Sequence, residues 1–404
     1  MADRAFSSHR WLHAWRGNVA LLAATLVLSL IIAELALRIA GGNTPQFYRL
    51  DPDVGWRPRP DVSGWIRGES ETYVSMNRAG YRDVDHPLAK PPRTYRIVVL
   101  GDSMTEAVEV PLDETYWRRL AAPLAACRGD GENVEILNFA VNGYGTAQEY
   151  LTLDKWALAW RPDLVLLAFF TGNDVTDNSF VLGRHAGRPY FELMDGRLVE
   201  VRRPGDQPDF MLRKRWLDLR AHTLDELRLV QLARHDARLL RETLKYQVAP
   251  DTQVEQPGLD SHVFAPPASP DWAAAWRVSE ALIAAAADRA HAAGAAFALT
   301  TLANPLQMLP DPAERQRLAQ SLGVADLTYP DRRLAAFAAA HGLVDVPLVD
   351  AMADYAAERD AALSGDLSRP IGHWNALGHQ VAGEALARGL CAAMAAGRLA
   401  PPAR

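Results

Sequence analysis

The chain has 404 residues, 49% hydrophobic and 23% charged, a make-up that suits a globular protein long enough for one large domain with additions. Its net charge of −6 argues against nucleic acid as the main partner. Two cysteines, Cys127 and Cys391, exclude a disulfide framework and leave open whether they pair in an oxidising compartment or remain thiols. At the N-terminus, Arg4, Arg10 and Arg16 precede an uncharged stretch from residue 17 to 33. As a helix it spans roughly 26 Å, or roughly 34 Å if continued to Ile39, against a bilayer core of about 30 Å. Trp11 and Trp15 fit a near-side aromatic belt, and Glu34 falls near the far interface with Arg38 beyond it. The arginines favour a cytoplasmic segment 1–16, a signal anchor over 17–39 and an exported remainder in the periplasm. A cleaved signal peptide is the competing reading, but no small-x-small site follows the apolar run.

Residues 40–93 differ in texture, with frequent Pro and Gly and with Trp56, Trp65, Tyr73 and Tyr81 interspersed. Residues 72–77 alternate like a strand and 77–80 read as a turn, so an extended β-rich lead-in is expected to pack on the domain. Its aromatics serve packing in that reading; stacking on a carbohydrate is the alternative.

Residues 96–100, Arg-Ile-Val-Val-Leu, form a short β-branched run that ends in Gly101-Asp102-Ser103, before a helix-like pattern. A Ser at the carboxyl end of a buried strand is where an open α/β sheet presents a nucleophile. A second strand, residues 134–139, leads into Ala140-Val141-Asn142-Gly143-Tyr144 and a helix pattern to about Trp160. A third run, 163–170, is almost continuously apolar, as expected of a strand buried on both faces, and ends in Thr171-Gly172-Asn173-Asp174. Near the C-terminus Gly372-His373-Trp374-Asn375 precedes a last helix, with Asn375 as its N-cap.

With these blocks the chain resembles the SGNH (GDSL-type) hydrolase superfamily over roughly residues 94–180 and 270–395. The family's four invariant positions fall on Ser103, Gly143, Asn173 and His373. The resemblance implies a three-layer, flavodoxin-like α/β fold with a parallel central sheet. It also implies attack of Ser103 on an ester carbonyl. The N–H groups of Ser103 and Gly143 and the Asn173 amide would then hold the oxyanion, and His373 would shuttle the proton. Asp102 braces the turn in this reading, with a second catalytic acid as the alternative. Asn142 and Asp174 read as turn residues, and His379, inside the last helix, as a packed or surface residue rather than a rival base.

One element of the pattern is missing. The family normally places an Asp two or three residues before the catalytic His, where this chain has Ile371 and Pro370. Three readings stand: Asp366 reaches His373 through a longer loop, a Ser–His dyad operates alone, or the domain binds without cleaving. Asp350 is a further candidate partner in space.

Residues 180–270 interrupt the α/β rhythm and are expected to form an inserted, lid-like segment. Asp195-Gly196 between two alternating runs predicts a hairpin. Residues 212–246 read as one helix, with Thr223 and Glu226 as a capping box, and 248–270 as a Pro-rich loop. Arg213-Lys214-Arg215 could face lipid headgroups or plain solvent. The α/β pattern resumes with a helix over 271–293, a strand over 296–300, a helix over 331–340, a strand over 343–346 and a helix over 375–396. The hydrolase-like domain is thus set at 94–400.

The expected protein is a membrane-anchored, extracytoplasmic serine ester hydrolase needing neither cofactor nor metal. Its substrate would be an ester-bearing glycan, lipid or small molecule. The alternatives are an O-acyltransferase for an envelope polysaccharide and a non-catalytic envelope binding or assembly subunit.

Overall fold

The computed structural model describes residues 5–221, 223–248, 260–366 and 369–400. Thirteen strands occur among them. β1 (Tyr48–Asp51) pairs antiparallel with β2 (Gly55–Pro58), and β3 (Ser63–Arg67) with β4 (Glu71–Ser75). β5 (Thr94–Leu100), β6 (Asn133–Asn138) and β7 (Leu164–Phe170) follow, then the hairpin β8 (Tyr190–Met194) and β9 (Arg197–Arg202), turning at Asp195-Gly196. β10 (Ala296–Leu302) and β11 (Val344–Asp345) complete the central sheet, and β12 (Ser364–Asp366) pairs antiparallel with β13 (Arg369–Trp374).

The helices are α1 (Ala5–Ile39), α2 (Ser103–Glu106), α3 (Ala121–Arg128), α4 (Thr146–Lys155), α5 (Asp174–Asp177) and α6 (Phe180–Gly183). After these come α7 (Pro208–Ala221), α8 (Arg228–Val248), α9 (Pro270–Ala292), α10 (Pro312–Ser321), α11 (Tyr329–Ala340), α12 (Val349–Arg359) and α13 (Ala376–Ala395).

The described chain forms two compact units, one from Met1–Gln46 with Leu219–Val248, the other from Phe47–Asp218 with Ala249–Arg404. In the larger, the sheet order is β11-β10-β7-β5-β6, all parallel. Numbered within the sheet this is 2-1-3-4-5, the flavodoxin-like order, whose direction of winding reverses between β5 and β7. Ligands of open α/β sheets bind at the carboxyl ends of the strands flanking that reversal.

Alternation on these strands explains the layers. Val98, Leu100, Val165, Leu167 and Phe169 point to one face, with Leu151 of α4, Trp276 and Leu282 of α9 and Leu334 of α11. Ile97, Val99, Leu164 and Leu166 point to the other, with Leu124 of α3, Met352 of α12 and Leu386 of α13. β5 and β7 are buried at every residue, so each large side chain contributes about 1.5–3 kcal/mol on leaving water. Cys127 and Cys391 form a disulfide, joining α3 to α13.

In the smaller unit, Trp15–Ile39 of α1 is long and apolar enough to cross a membrane, and none of it is buried. The Glu34 carboxylate accepts the first N–H groups of α8, from Arg228 at 3.0 Å and Leu229 at 3.1 Å, and also the Arg38 side chain at 2.7 Å.

Three local expectations change. Residues 212–246 are not one helix: α7 ends at Ala221 and a 3-10 turn, Leu224–Glu226, precedes α8. Thr223 makes no N-terminal cap; its hydroxyl donates back to the Leu219 and Arg220 carbonyls at 3.1 and 3.3 Å, closing the helix before it. The segment before the last helix, for which the sequence pattern gives no secondary structure, is a strand: His373 lies in β13, where Trp374 and Arg369 pair with Ser364 and Asp366. Of the Pro-rich stretch 248–270, residues 249–259 lie outside the described residues.

Candidate active site

Ser103 is the first residue of α2, three residues past the end of β5. Asp102 caps this helix, accepting the Met104 N–H at 2.9 Å, so it braces the turn. Its carboxylate is fully buried with one oxygen unpartnered, and burial pushes its pKa up to about 7, against the lowering pull of the Met104 hydrogen bond and His373.

Gly143 follows the neighbouring strand β6. Its φ of +72° is left-handed, and a Cβ there would stand 3.3 Å from the Trp56 ring. The loop is tied to the serine turn in two places. Val141 N–H donates to the Gly101 carbonyl at 3.1 Å, and Asn142 N–H to the Glu106 carboxylate at 2.6 Å. Tyr48 donates to the same Glu106 oxygen at 2.7 Å, and burial pushes the Glu106 carboxyl up to about 7. Buried Arg82 donates to the Glu106, Ala107 and Val110 carbonyls, holding the far side of the turn. Asn173 precedes the first residue of α5, three residues past the end of β7, with its side-chain oxygen buried and unpartnered. The three residues therefore stand at the carboxyl ends of three adjacent strands.

His373 arrives from outside the sheet. Its Nε2 lies 2.9 Å from the Ser103 Oγ. Its Nδ1 lies 3.0 Å from Glu69 Oε1 and 3.4 Å from Glu109 Oε1, and its backbone N–H donates to Glu69 Oε2 at 2.7 Å. Glu69 is the tip of the β3–β4 hairpin. Gly372, at φ +94°, lets it in: a Cβ there would fall 2.4 Å from Glu69 Oε2. Glu109 sits just beyond α2, and its backbone carbonyl accepts the Ser70 hydroxyl at 2.7 Å, so hairpin tip and turn are bonded to each other. With Nδ1–H held by a carboxylate, Nε2 of the neutral ring is free to accept the Ser103 proton.

The same carboxylates set the charge of the ring. Burial lowers the His373 pKa, but Glu109, then Glu69, outweigh it and raise it to about 9. Glu109 is the better shielded acid, 14% exposed against 51% for Glu69, and burial raises its own pKa.

The other candidates lie elsewhere. His379 is buried in α13, stacked on Tyr116, its Nδ1 accepting the Tyr116 N–H at 3.4 Å, and burial pushes its pKa down to about 3. It is a packed residue. Asp350 lies in the first turn of α12, exposed. The backbone of Asp366 ends β12, but its side chain is outside the described residues. Among the described residues the carboxylates touching His373 are Glu69 and Glu109, neither of which the motif spacing pointed to. Glu109 lies six residues past Ser103 and could have been weighed there; Glu69 lies 304 positions from His373 and had no linear signal. Among the described residues no group of three His, Cys, Asp or Glu is placed to hold a metal ion.

No protein-family model matches the chain, and no curated protein matches it. Solved structures do align. A member of the lipolytic protein G-D-S-L family from Veillonella parvula is 12% identical, over 72% of this chain and 96% of its own, with a TM-score of 0.33. An acetylxylan esterase from Geobacillus stearothermophilus is 12% identical, over 73% and 94%, with a TM-score of 0.36. A lipase from a goat rumen metagenome is 14% identical, over 73% and 96%, with a TM-score of 0.38.

Proposed function

We propose that this chain is a serine ester hydrolase of the SGNH kind, held in a membrane by α1 and working outside the cytoplasm. The observation that carries the reading is the relay Ser103 Oγ–His373 Nε2 at 2.9 Å, continued from Nδ1 to Glu69 at 3.0 Å. Neutral His373 takes the Ser103 proton as Oγ attacks the ester carbonyl. The tetrahedral oxyanion is received by the Ser103 and Gly143 N–H groups and the Asn173 amide, each donor typically worth about 3–4 kcal/mol of barrier. Imidazolium then returns the proton to the departing alcohol, leaving acyl-Ser103, and water reverses the sequence with His373 again as base. Glu69 and Glu109 stabilise the imidazolium in both halves. Their presence weakens the reading as a non-catalytic subunit, which rested on the missing Asp.

The Cys127–Cys391 bond and the arginine-rich start both favour export of the larger unit into an oxidising compartment. Ester-bearing glycans, lipids and small esters all fit this chemistry.

The test is acetyl-ester cleavage by the full chain in detergent, beside Ser103→Ala and His373→Ala. Activity lost in both variants, with an acetyl adduct on Ser103 trapped by acid quench, is the expected result. Equal turnover by wild type and Ser103→Ala overturns the proposal.

A further inference from the structure

The ester-hydrolase reading leaves one aromatic side chain beside the oxyanion donors without a task. Trp56, on β2 of the lead-in, lies against Gly143: a Cβ on that glycine would stand 3.3 Å from the ring carbon Cζ2. The Trp56 Nε1–H donates to the Asn142 carbonyl at 2.9 Å, and the Tyr144 hydroxyl donates to the Trp56 backbone carbonyl at 2.6 Å. Trp56 is thus bonded to the residues on either side of the oxyanion donor, which fixes the ring relative to Gly143. It is only half-buried, whereas Tyr144 is buried outright.

The inserted segment backs the ring. Arg188, 8% exposed, holds its guanidinium carbon 5.1 Å from the ring centroid while pairing with Gln148 at 2.8 Å and Asp177 at 3.0 Å. The exposed His185 ring is 5.4 Å away. Gly55, at φ +89°, admits this loop, since a Cβ there would collide with the Gly187 carbonyl. Lead-in and insertion therefore meet at the oxyanion loop.

The face they occupy is informative. Trp374, next to His373, belongs to the core on the face of α3, α12 and α13, whereas Trp56 packs on the core of the opposite face, with α4 and α9. In the tetrahedral intermediate the carbon bears Ser103 Oγ, the oxyanion, the alcohol oxygen and the acyl chain. The alcohol oxygen must meet His373 Nε2 to receive its proton, and the oxyanion must meet the Gly143 N–H. The acyl chain takes the remaining direction, away from His373 and toward Trp56.

We propose that Trp56 is the wall of the acyl site and restricts the substrate to short acyl groups, acetyl above all. The inference rests on the ester-hydrolase reading. An indole tied through Nε1 and clasped by Arg188 yields little, so each added methylene meets a fixed ring.

The test uses the full chain in detergent with p-nitrophenyl acetate, butyrate and hexanoate, below their solubility limits. For wild type, kcat/KM should fall by about tenfold or more from acetate to butyrate and further to hexanoate. Trp56→Ala should raise the hexanoate-to-acetate ratio by about tenfold or more. Trp56→Phe, which keeps a ring but loses the Asn142 bond, should keep the wild-type order. Hexanoate cleaved as well as acetate by wild type overturns the proposal. So does an equal slowing of all three esters by Trp56→Ala, which would make the ring a mere support for Gly143. A Trp56→Ala preference that shifts between acetates of phenol and of a methyl glucoside, with the acyl order intact, would put the ring on the alcohol side and also overturn it. Labelling of Ser103 by methyl and hexyl fluorophosphonates repeats the comparison without turnover: slower labelling by hexyl, relieved in Trp56→Ala, supports the wall, and equal rates overturn it. Any of these reversals with Ser103 still reactive sinks this inference alone. An unlabelled Ser103 and no turnover of any ester sink the hydrolase reading along with it.

Discussion

The two halves of the proposed relay are built differently. Ser103 stands on the central sheet: β5 is buried along its whole length, Asp102 caps the turn, and Glu106 ties it to the next loop, all within a few residues. His373 stands on a two-stranded ribbon outside that sheet, and its acids come from a hairpin tip and a turn far away in sequence. The nucleophile's placement is therefore inherited from core packing, while the base is placed by polar contacts between peripheral segments. Damage to the first should act through the fold, and damage to the second through geometry and charge at an intact fold.

The largest effect should come from the reacting pair itself. Ser103→Ala and His373→Ala should each lower turnover by on the order of 10⁶, and the double variant should be little worse, because the residues act as a unit. Parallel thermal melts should leave both variants folded. If the losses multiply, the pair does not work as a relay.

This contrast also explains how much could be read in advance. β7 announced itself because a strand buried on both faces must be apolar throughout, β5 and β6 by shorter apolar runs that lead into turns, and Gly143 by its match to the family's pattern. The Glu69 partnership was invisible, since it depends on a hairpin folding back onto β13 and on Gly372 leaving room. The break between α7 and α8 was missed for a similar reason: its apolar pattern continues, while Thr223 bonds back to the Leu219 and Arg220 carbonyls and the start of α8 is capped by Glu34, far away in sequence.

The acids sharpen the comparison. Removing an orienting carboxylate can cost about 10⁴ in turnover, but two acids share the task here. Glu69→Gln and Glu109→Gln should each lose only roughly 10-fold, because the remaining acid still holds the ring, and the double variant roughly 10⁴-fold, far beyond the product of the single losses, measured as kcat in a double-mutant cycle. Additive losses would mean that the two act independently.

The pH profile follows with a definite sign. His373 must be neutral to act as base and its pKa is raised to about 9, so kcat/KM should climb through the alkaline range toward pH 9. The stability this raised pKa confers has the opposite course. It is fully present below the unfolded value of about 6.5 and is lost as pH rises through about 9. Glu109→Gln should move both transitions toward lower pH, which paired rate and melting profiles would reveal. A limb fixed near 6.5 in the wild type would show that the acids do not control the ring.

The smallest effect on catalysis should come from the core side. Cys127→Ser should lower stability by about 2–5 kcal/mol, seen as a lower melting temperature, while leaving kcat unchanged.

That disulfide has another consequence. Cys127 and Cys391 are 264 positions apart, so every residue between them, including Asn173, the inserted segment and His373, lies inside one covalent ring. A protease that cuts the exposed Arg213–Arg215 stretch once would open this ring without dividing the molecule. The nicked protein would migrate as two fragments only after reduction, and the helix bearing Cys391 would stay fastened beside the serine's half of the sheet.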